Sequence, residues 1–369
     1  MRIHIVKRDN CPLWKKCCFY LSAVLLALLA GGILLVSIGV DPIAYYTKMF
    51  TMGTINNKIA YRTYMFFLDQ FVPLALTAVA LSLAFKMRFW NIGGEGQFIM
   101  GALATAFVAI TLGGTLPDWL VLLLMCLAAM AAAGLYGLIV AALKVKFGTN
   151  ETLLTLMLNY VALYVLNFFM QTKASWNVFL NPESTQAAAP QSFDTKFPLI
   201  PIDGKFSLNI CVPLVLIIGI IVYAYLKHTK QGYEINVVGD STGTAHYAGM
   251  KVNRVVVRTV LFSACLIGLA AAFRVGTSGA LSSTITDDVG WTGIIVAWLA
   301  QLNTGMIFLV AALICVLHVG SDKASTTFSQ VDRNFSDMLQ GFLLFLVLVA
   351  DFFIRFRVVI VKKGGQDNE

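Results

Sequence analysis

Over its 369 residues the chain is 58% hydrophobic and only 12% charged, with a mean hydropathy of +0.78. A soluble fold, at roughly 45–50% apolar and ~25% charged, has no means of hiding that much apolar surface. Apolar runs of about 20 residues match the ~30 Å hydrocarbon core of a bilayer and are too long for barrel strands, which leaves an all-α polytopic membrane protein.

In chain order, basic residues through Lys16 precede an apolar stretch from Phe19 to Gly39 that carries no A-x-A cleavage site, so it reads as a retained first span behind a cytoplasmic N-terminus at residues 1–18. Further spans are expected near residues 66–85, 93–113, 117–143, 151–171, 211–226, 257–276, 290–304, 305–320 and 338–355. That makes about ten in a single transmembrane domain over 1–369, two of the later ones short. With the N-terminus inside, the inner segments hold 18 of the 27 lysines and arginines and the outer ones eight, with Arg274 left near a span end. This split satisfies the positive-inside rule with both termini cytoplasmic, and topology, not nucleic acid, explains the net charge of +8.

Two connections exceed simple turns. The outer one, residues 172–210, carries Pro182, Pro190, Pro198 and Pro201, and reads either as a solvated loop or as a docking surface. The inner one, residues 227–258, is polar and punctuated by Gly232, Gly239, Gly243 and Gly249, with room for a short amphipathic helix. The seven cysteines sit near the N-terminus or inside apolar runs with no CxxC spacing, which argues against a disulfide framework or a zinc site.

Polar residues at membrane depth are costly unless paired or facing a cavity, so each is a functional candidate. In Trp90-Asn91-Ile92-Gly93-Gly94-Glu95-Gly96-Gln97, an acid, two amides and three glycines interrupt the apolar pattern, and glycine there lets the backbone unwind where transporters place binding and gating groups. Thr149-Asn150-Glu151 opens the next inner-to-outer span. Steps of four place Glu151, Thr155 and Asn159 on one narrow polar stripe. Thr149 can cap that helix with Glu151 near its positive end, or Glu151 can line the pathway. A third interruption, from Gly290-Trp291-Thr292-Gly293 to Gln301-Leu302-Asn303-Thr304-Gly305, separates the two short spans. Paired breaks in the two halves suggest an inverted repeat with the path between them, its tryptophans serving as anchors or, less commonly, as stacking platforms. The four scattered histidines form no metalloprotease motif, and neither a G-x-S-x-G elbow nor a phosphate loop occurs, so any ATP hydrolysis belongs to another chain.

The stretch Phe89 to Ala102 (FWNIGGEGQFIMGA) closely resembles the FNIGAEGQ-type signature of bacterial ABC permeases for nucleosides, in the superfamily that also serves simple sugars and branched-chain amino acids. Thr149 to Asn167, Val238 to Val252, Gly290 to Ala300 and Gln340 to Val349 are similar to further elements of that subgroup, in the same order. The resemblance implies an importer permease without a cofactor of its own. It implies a second, paralogous permease subunit, a cytoplasmic ABC ATPase that uses ATP, an extracytoplasmic substrate-binding lipoprotein, and a bacterial inner-membrane location. It assigns ATPase coupling to Gly239, Gly243, His246, Tyr247, Ala248 and Gly249. The sequence departs from the family at Gly243, where an acidic residue is usual, at His246, where a basic one is, and at Thr292 and Thr304, which replace Asp and Pro. The expected pathway residues are Asn91, Glu95, Gln97, Glu151, Thr155, Asn159, Trp291, Gln301 and Asn303, whose amides suit a neutral, hydroxyl-rich solute. A sugar importer is the nearest alternative. An ion-coupled carrier using Glu95, Glu151 or Asp351, or a scaffold subunit, are the rivals from other classes.

Overall fold

The computed structural model describes residues 2–7, 12–55, 57, 59–184, 189–203, 205–332 and 334–361. Arg8, Cys11, Lys58, Arg333, Lys362 and Lys363, and the side chains of Cys17 and Asp351, lie outside the described residues. In chain order the elements are β1 (Arg2–Lys7), α1 (Leu13–Ser37), α2 (Pro42–Phe50), α3 (Ala60–Lys86), α4 (Gly94–Leu112), α5 (Asp118–Phe147) and α6 (Glu151–Gln171). A hairpin, β2 (Leu199–Asp203) and β3 (Phe206–Asn209), precedes α7 (Cys211–His228), α8 (Lys230–Asp240), α9 (Thr242–Tyr247) and α10 (Val252–Ser278). The chain closes with α11 (Val289–Leu299), α12 (Thr304–Ser325), α13 (Phe335–Arg355) and β4 (Phe356–Val361).

Among the described residues nine helices are long and apolar enough to cross a membrane: α1, α3, α4, α5, α6, α7, α10, α12 and α13. The expected pair of short spans is corrected on one count, because α12 runs to 22 residues and only α11, at 11 residues, is short. An 11-residue helix rises only ~17 Å, about half the hydrocarbon thickness. The missing length comes from irregular chain. Arg274, near the end of α10, lies against the carbonyl of Asp69, whereas Trp298, near the end of α11, packs on Phe85 with ring centroids 5.8 Å apart. The rise of α3 from Asp69 to Phe85 is ~24 Å, so residues 279–288 and α11 together traverse most of the layer. β1 pairs antiparallel with β4, from Arg2 opposite Val361 to Lys7 opposite Phe356.

Two compact units divide the chain: residues 1–58 with 316–369, and residues 59–315. In the first, the phenol of Tyr45 meets the hydroxyl of Ser321 at 2.8 Å and its ring stands edge-on to Phe335, while the Tyr46 hydroxyl donates to the Leu28 carbonyl. Burial, with the neighbouring Tyr45, pushes the Tyr46 phenol up to about 12. The Leu339 side chain packs where Gly31 leaves α1 without a Cβ.

In the second unit α3 is buried almost continuously from Gln70 to Phe85, and α10 runs antiparallel to it, with the Ser263 hydroxyl donating to the Ala80 carbonyl at 2.6 Å. Where apolar burial supplies no drive because lipid is equally apolar, helices associate through small residues that let backbones approach. A Cβ on Gly268 of α10 would stand 2.3 Å from the Ala129 carbonyl oxygen of α5, and one on Gly101 of α4 would stand 2.9 Å from the Gly268 Cα. The outward faces keep large apolar groups exposed, among them Leu135, Tyr164 and Ile220, as a lipid-facing surface does.

Described residues of the outer connection pack on the rest of the second unit. Phe179, Leu180, Phe193 and Phe197 are buried, and the Phe193 and Phe197 amides donate to the carbonyls of Gly279 and Gly276 at the end of α10. The amphipathic helix expected in the inner connection is present as two, α8 and α9.

Gly268→Val forces α10 away from both neighbours, and overpacking of this kind costs about 1–3 kcal/mol. The detergent-solubilised protein is expected to melt several degrees lower, with Gly243→Ala, where an added Cβ meets its nearest neighbour at 3.7 Å, leaving the midpoint unchanged.

Candidate functional site

The seven residues between α3 and α4 explain why Asn91, Gln97, Thr155 and Asn159 are where they are. A helix that starts inside the membrane leaves its first N–H groups without water, so protein must accept them. At α4 the Asn91 carboxamide accepts from the Gly93 amide at 3.1 Å, and Asn159 of α6 accepts from the Gly96 amide at 2.8 Å. Asn159 also donates to the Ile92 carbonyl at 2.9 Å, and Thr155 accepts from the Ile92 amide at 3.3 Å. Asn91 and Gln97 exchange hydrogen bonds at 3.2 and 3.3 Å. Glycine is required where α6 presses on this turn: a Cβ on Gly96 would meet Asn159 Oδ1 at 3.0 Å and its Cα at 3.2 Å. The broken entry is therefore a tightly satisfied joint.

The second break meets the first at Glu95. The start of α11 has no side-chain cap of its own. Instead Glu95 Oε2 accepts from the Gly290 amide at 2.8 Å, and the Thr286 hydroxyl and Trp291 amide reach the same carboxyl. A carboxylate from one helix thus caps the positive end of another. The approach leaves no room at Gly290, where a Cβ would stand 2.3 Å from the Glu95 nitrogen. Farther along α11, Gly293 lies against Thr77 and Ala78 of α3, and Trp298 stacks on Trp90 with centroids 5.4 Å apart and planes 13° apart. The short helix is held against the α3–α4 break at both ends.

Beside this joint lies a cavity of about 270 Å³ whose wall includes Glu95, Asn159, Tyr160, Thr286 and Trp291 together with the Asp287-Asp288 pair. Both aspartates adopt left-handed backbone, φ +46° and +55°, a conformation uncommon outside glycine and tolerated best by Asn and Asp. The turn is held from behind: Gln70 of α3 donates to Asp287 at 2.9 Å, and the Arg274 guanidinium, flanked by the Asp69 and Asp287 carboxylates, points toward the carbonyls of Asp69 and Ile285. The sequence pattern alone passes over Tyr160, Thr286, Asp287 and Asp288. Two adjacent acids just before a glycine-bearing apolar helix were the available signal.

Other expected pathway residues lie elsewhere. Glu151 is ion-paired with Lys144 at 2.7 Å and lines a separate cavity of about 450 Å³, together with Met87, Arg88 and Gly239. Asn150, not Thr149, caps α6, accepting from the Thr152 and Leu153 amides, because its carbonyl oxygen reaches both from the cap position; among the described residues the Thr149 hydroxyl has no hydrogen-bond partner. Asn303 is the cap of α12, accepting from the Gly305 amide at 3.0 Å, and Gln301 stands in a left-handed turn with Leu302; neither lines the Glu95 cavity.

The stretch expected to couple to an ATPase is built in layers. Gly239, buried at the end of α8, is pressed so closely on the last residue of α3 that a Cβ would stand 2.0 Å from the Lys86 carbonyl oxygen. Ser241 then caps α9, accepting from the Thr244 amide at 3.2 Å, and Ala245 is buried. Gly243, His246, Ala248 and Gly249 are exposed, Gly249 with φ +74°, and Tyr247 is 96% exposed at the tip.

Residues 63–348 match the family described as branched-chain amino acid transport system / permease component, and the chain belongs to that family. It is thus a multi-pass transport subunit of an ABC importer and not an enzyme. The chain is 27% identical to the glucose ABC transporter permease protein TsgB13 of Haloferax volcanii, over 100% of this chain and 96% of the relative. It is 28% identical to the guanosine ABC transporter permease protein NupP of Bacillus subtilis, over 94% and 96%. The nucleoside ABC transporter permease protein NupB of Lactococcus lactis is 26% identical over 82% of each chain.

Asn159→Ala strands the Gly96 amide and the Ile92 carbonyl in a buried site, at about 1–3 kcal/mol for each group. The melting temperature of the solubilised protein is expected to fall clearly more for Asn159→Ala than for Thr155→Val, which removes the 3.3 Å contact from the Ile92 amide and a hydroxyl bond to carbonyls already paired within α6. Glu95→Gln, which keeps an acceptor for Gly290, is expected to cost less than Glu95→Ala.

Proposed function

We propose that this permease carries nucleosides inward by alternating access, with ATP hydrolysed on a separate cytoplasmic ATPase, cargo delivered by an extracytoplasmic binding lipoprotein, and a second, paralogous permease completing the path. The observation that carries the reading is an unbroken run of contacts from the coupling stretch to the cavity. Gly239 bears on the end of α3, α3 leads into the glycine break, and the break holds α11 through Glu95 and Trp90. Displacement of α8 and α9 cannot leave that joint untouched, because packed interfaces move between discrete arrangements and do not stretch. Tyr247, projecting from a capped six-residue helix, is the anchor offered to the ATPase.

The orientation follows from the charges: residues 230–251 face the cytoplasm of a bacterial inner-membrane protein, both termini are inside, and the 172–210 segment faces the binding lipoprotein. Within the path, amides and hydroxyls offer both donors and acceptors to a neutral solute, and the contacts stay weak enough for release. The guanosine and nucleoside permeases among the relatives support nucleosides as cargo, together with the NIGGEGQ and TLMLNY stretches. The full-length glucose relative makes a sugar the competing cargo to test.

Purification of the complex is expected to bring down an ABC ATPase and a lipoprotein, and labelled adenosine uptake is expected to be competed by nucleosides and not by glucose; the reverse competition overturns the nucleoside reading. Tyr247→Cys is expected to react with an impermeant thiol reagent only from the cytoplasmic face. Gly239→Val is expected to leave ATP hydrolysis running while uptake falls at least about tenfold, the signature of a lost mechanical link and not of a lost site.

A further inference from the structure

Resting on the reading of the Glu95 cavity as part of the path, we infer that its wall is a charge filter: it admits neutral or cationic solutes rich in hydrogen-bond donors and turns away their phosphorylated forms, independently of the receptor that delivers them. The wall carries three carboxyl groups, Glu95, Asp287 and Asp288, with hydroxyls from Ser283, Thr284 and Thr286, and among the described residues no lysine or arginine lines it. Arg274 lies behind the turn, in the field of the Asp69 and Asp287 carboxylates, with its N–H groups directed at the Asp69 and Ile285 carbonyls at 3.4 Å. With Arg274 outside the wall, the Asp287-Asp288 pair leaves the wall electronegative.

Position makes this charge decisive. Tyr160 and Trp291 flank the cavity with half-exposed rings that favour a planar, apolar or cationic group. Hydroxyl and amino donors find acceptors in the carboxylates. A phosphate meets hydroxyl donors there but also the Asp287 and Asp288 carboxylates, with no lysine or arginine among the described residues of the wall to offset them, so exclusion of about an order of magnitude is expected. The cell can then retain phosphorylated solute after uptake, since the product of a cytoplasmic kinase no longer fits the route by which its precursor entered. On the outer side, a phosphorylated form must first meet a phosphatase-type reaction.

The test uses the intact complex in nanodiscs with Ser283→Cys as a reporter in the wall, reading alkylation of the introduced thiol by mass spectrometry of the peptide that carries it. Adenosine is expected to slow alkylation and adenosine 5′-monophosphate to have less than about a tenth of that effect. Asp287→Asn with Asp288→Asn, substitutions chosen because Asn tolerates left-handed backbone as well as Asp, is expected to make the monophosphate protect about as well as adenosine. Equal protection by both solutes in the wall with its acids intact, or no gain for the monophosphate once both are replaced, overturns the filter. Failure of the cargo reading looks different: ribose or another neutral solute protects the reporter thiol where adenosine does not, the monophosphates of that solute are still rejected, and adenosine uptake is absent. If adenosine is taken up but no solute protects the reporter, the cavity is not on the path and the filter is wrong.

Discussion

The site depends on one bond type in an unusual place: a helix beginning inside the membrane whose first amides are accepted by a side chain from another helix. Gly290 at the start of α11 is buried, and an unpaired buried amide there costs several kcal/mol. Glu95 supplies the acceptor for Gly290 and thereby decides where α11 begins, how closely α4 approaches it, and which side of the Asp287-Asp288 turn faces the cavity. The same logic, with amides in place of the acid, governs α4, where Asn91 and Asn159 accept from Gly93 and Gly96. Each broken helix is completed by its neighbours.

This arrangement changes what the polar residues are for. Asn91, Gln97, Thr155 and Asn159 are largely spent on one another and on backbone, so their first task is to hold an unwound segment at depth, and the face left to a solute belongs mainly to Glu95, Tyr160, Trp291 and the acidic turn. A joint of this kind suits a permease. Its buried polar groups are satisfied, yet it consists of a few directional bonds and one aromatic stack, which in the proposed mechanism are exchanged together when α8 and α9 push on α3.

Much of this was legible in the sequence, for definite reasons. Apolar runs fix the spans because only helices satisfy their own backbone in lipid, and the GGEG and GWTG breaks stand out against that background as polar groups that must have partners. Their meeting point was not legible. Nothing in the order of residues says that Glu95 faces Gly290, 195 positions away, and a helix of 11 residues completed by irregular chain looks like any short apolar run. Local pattern also did not reveal the structural partners of three polar residues. Glu151 sits on the same stripe as Asn159 but two turns nearer the helix start, where Lys144 claims it; Asn303 was needed as a cap; and Asn150 outcompeted Thr149 for the same task. Asp287 and Asp288 were missed because a pair of acids before a span reads as a solvated turn until Gln70 and Arg274 are seen behind it.

The account stands or falls on whether the two breaks must move against each other. Cysteines placed at Trp90 and Trp298, whose rings stack at 5.4 Å, permit the joint to be fixed with a short bifunctional thiol reagent in the assembled transporter. ATP-driven uptake by the double-cysteine protein should stop on bridging with a reducible reagent and return once the link is cleaved. Undiminished uptake through a fully bridged joint would show that α11 and the break travel as one rigid piece, and the path would have to open elsewhere.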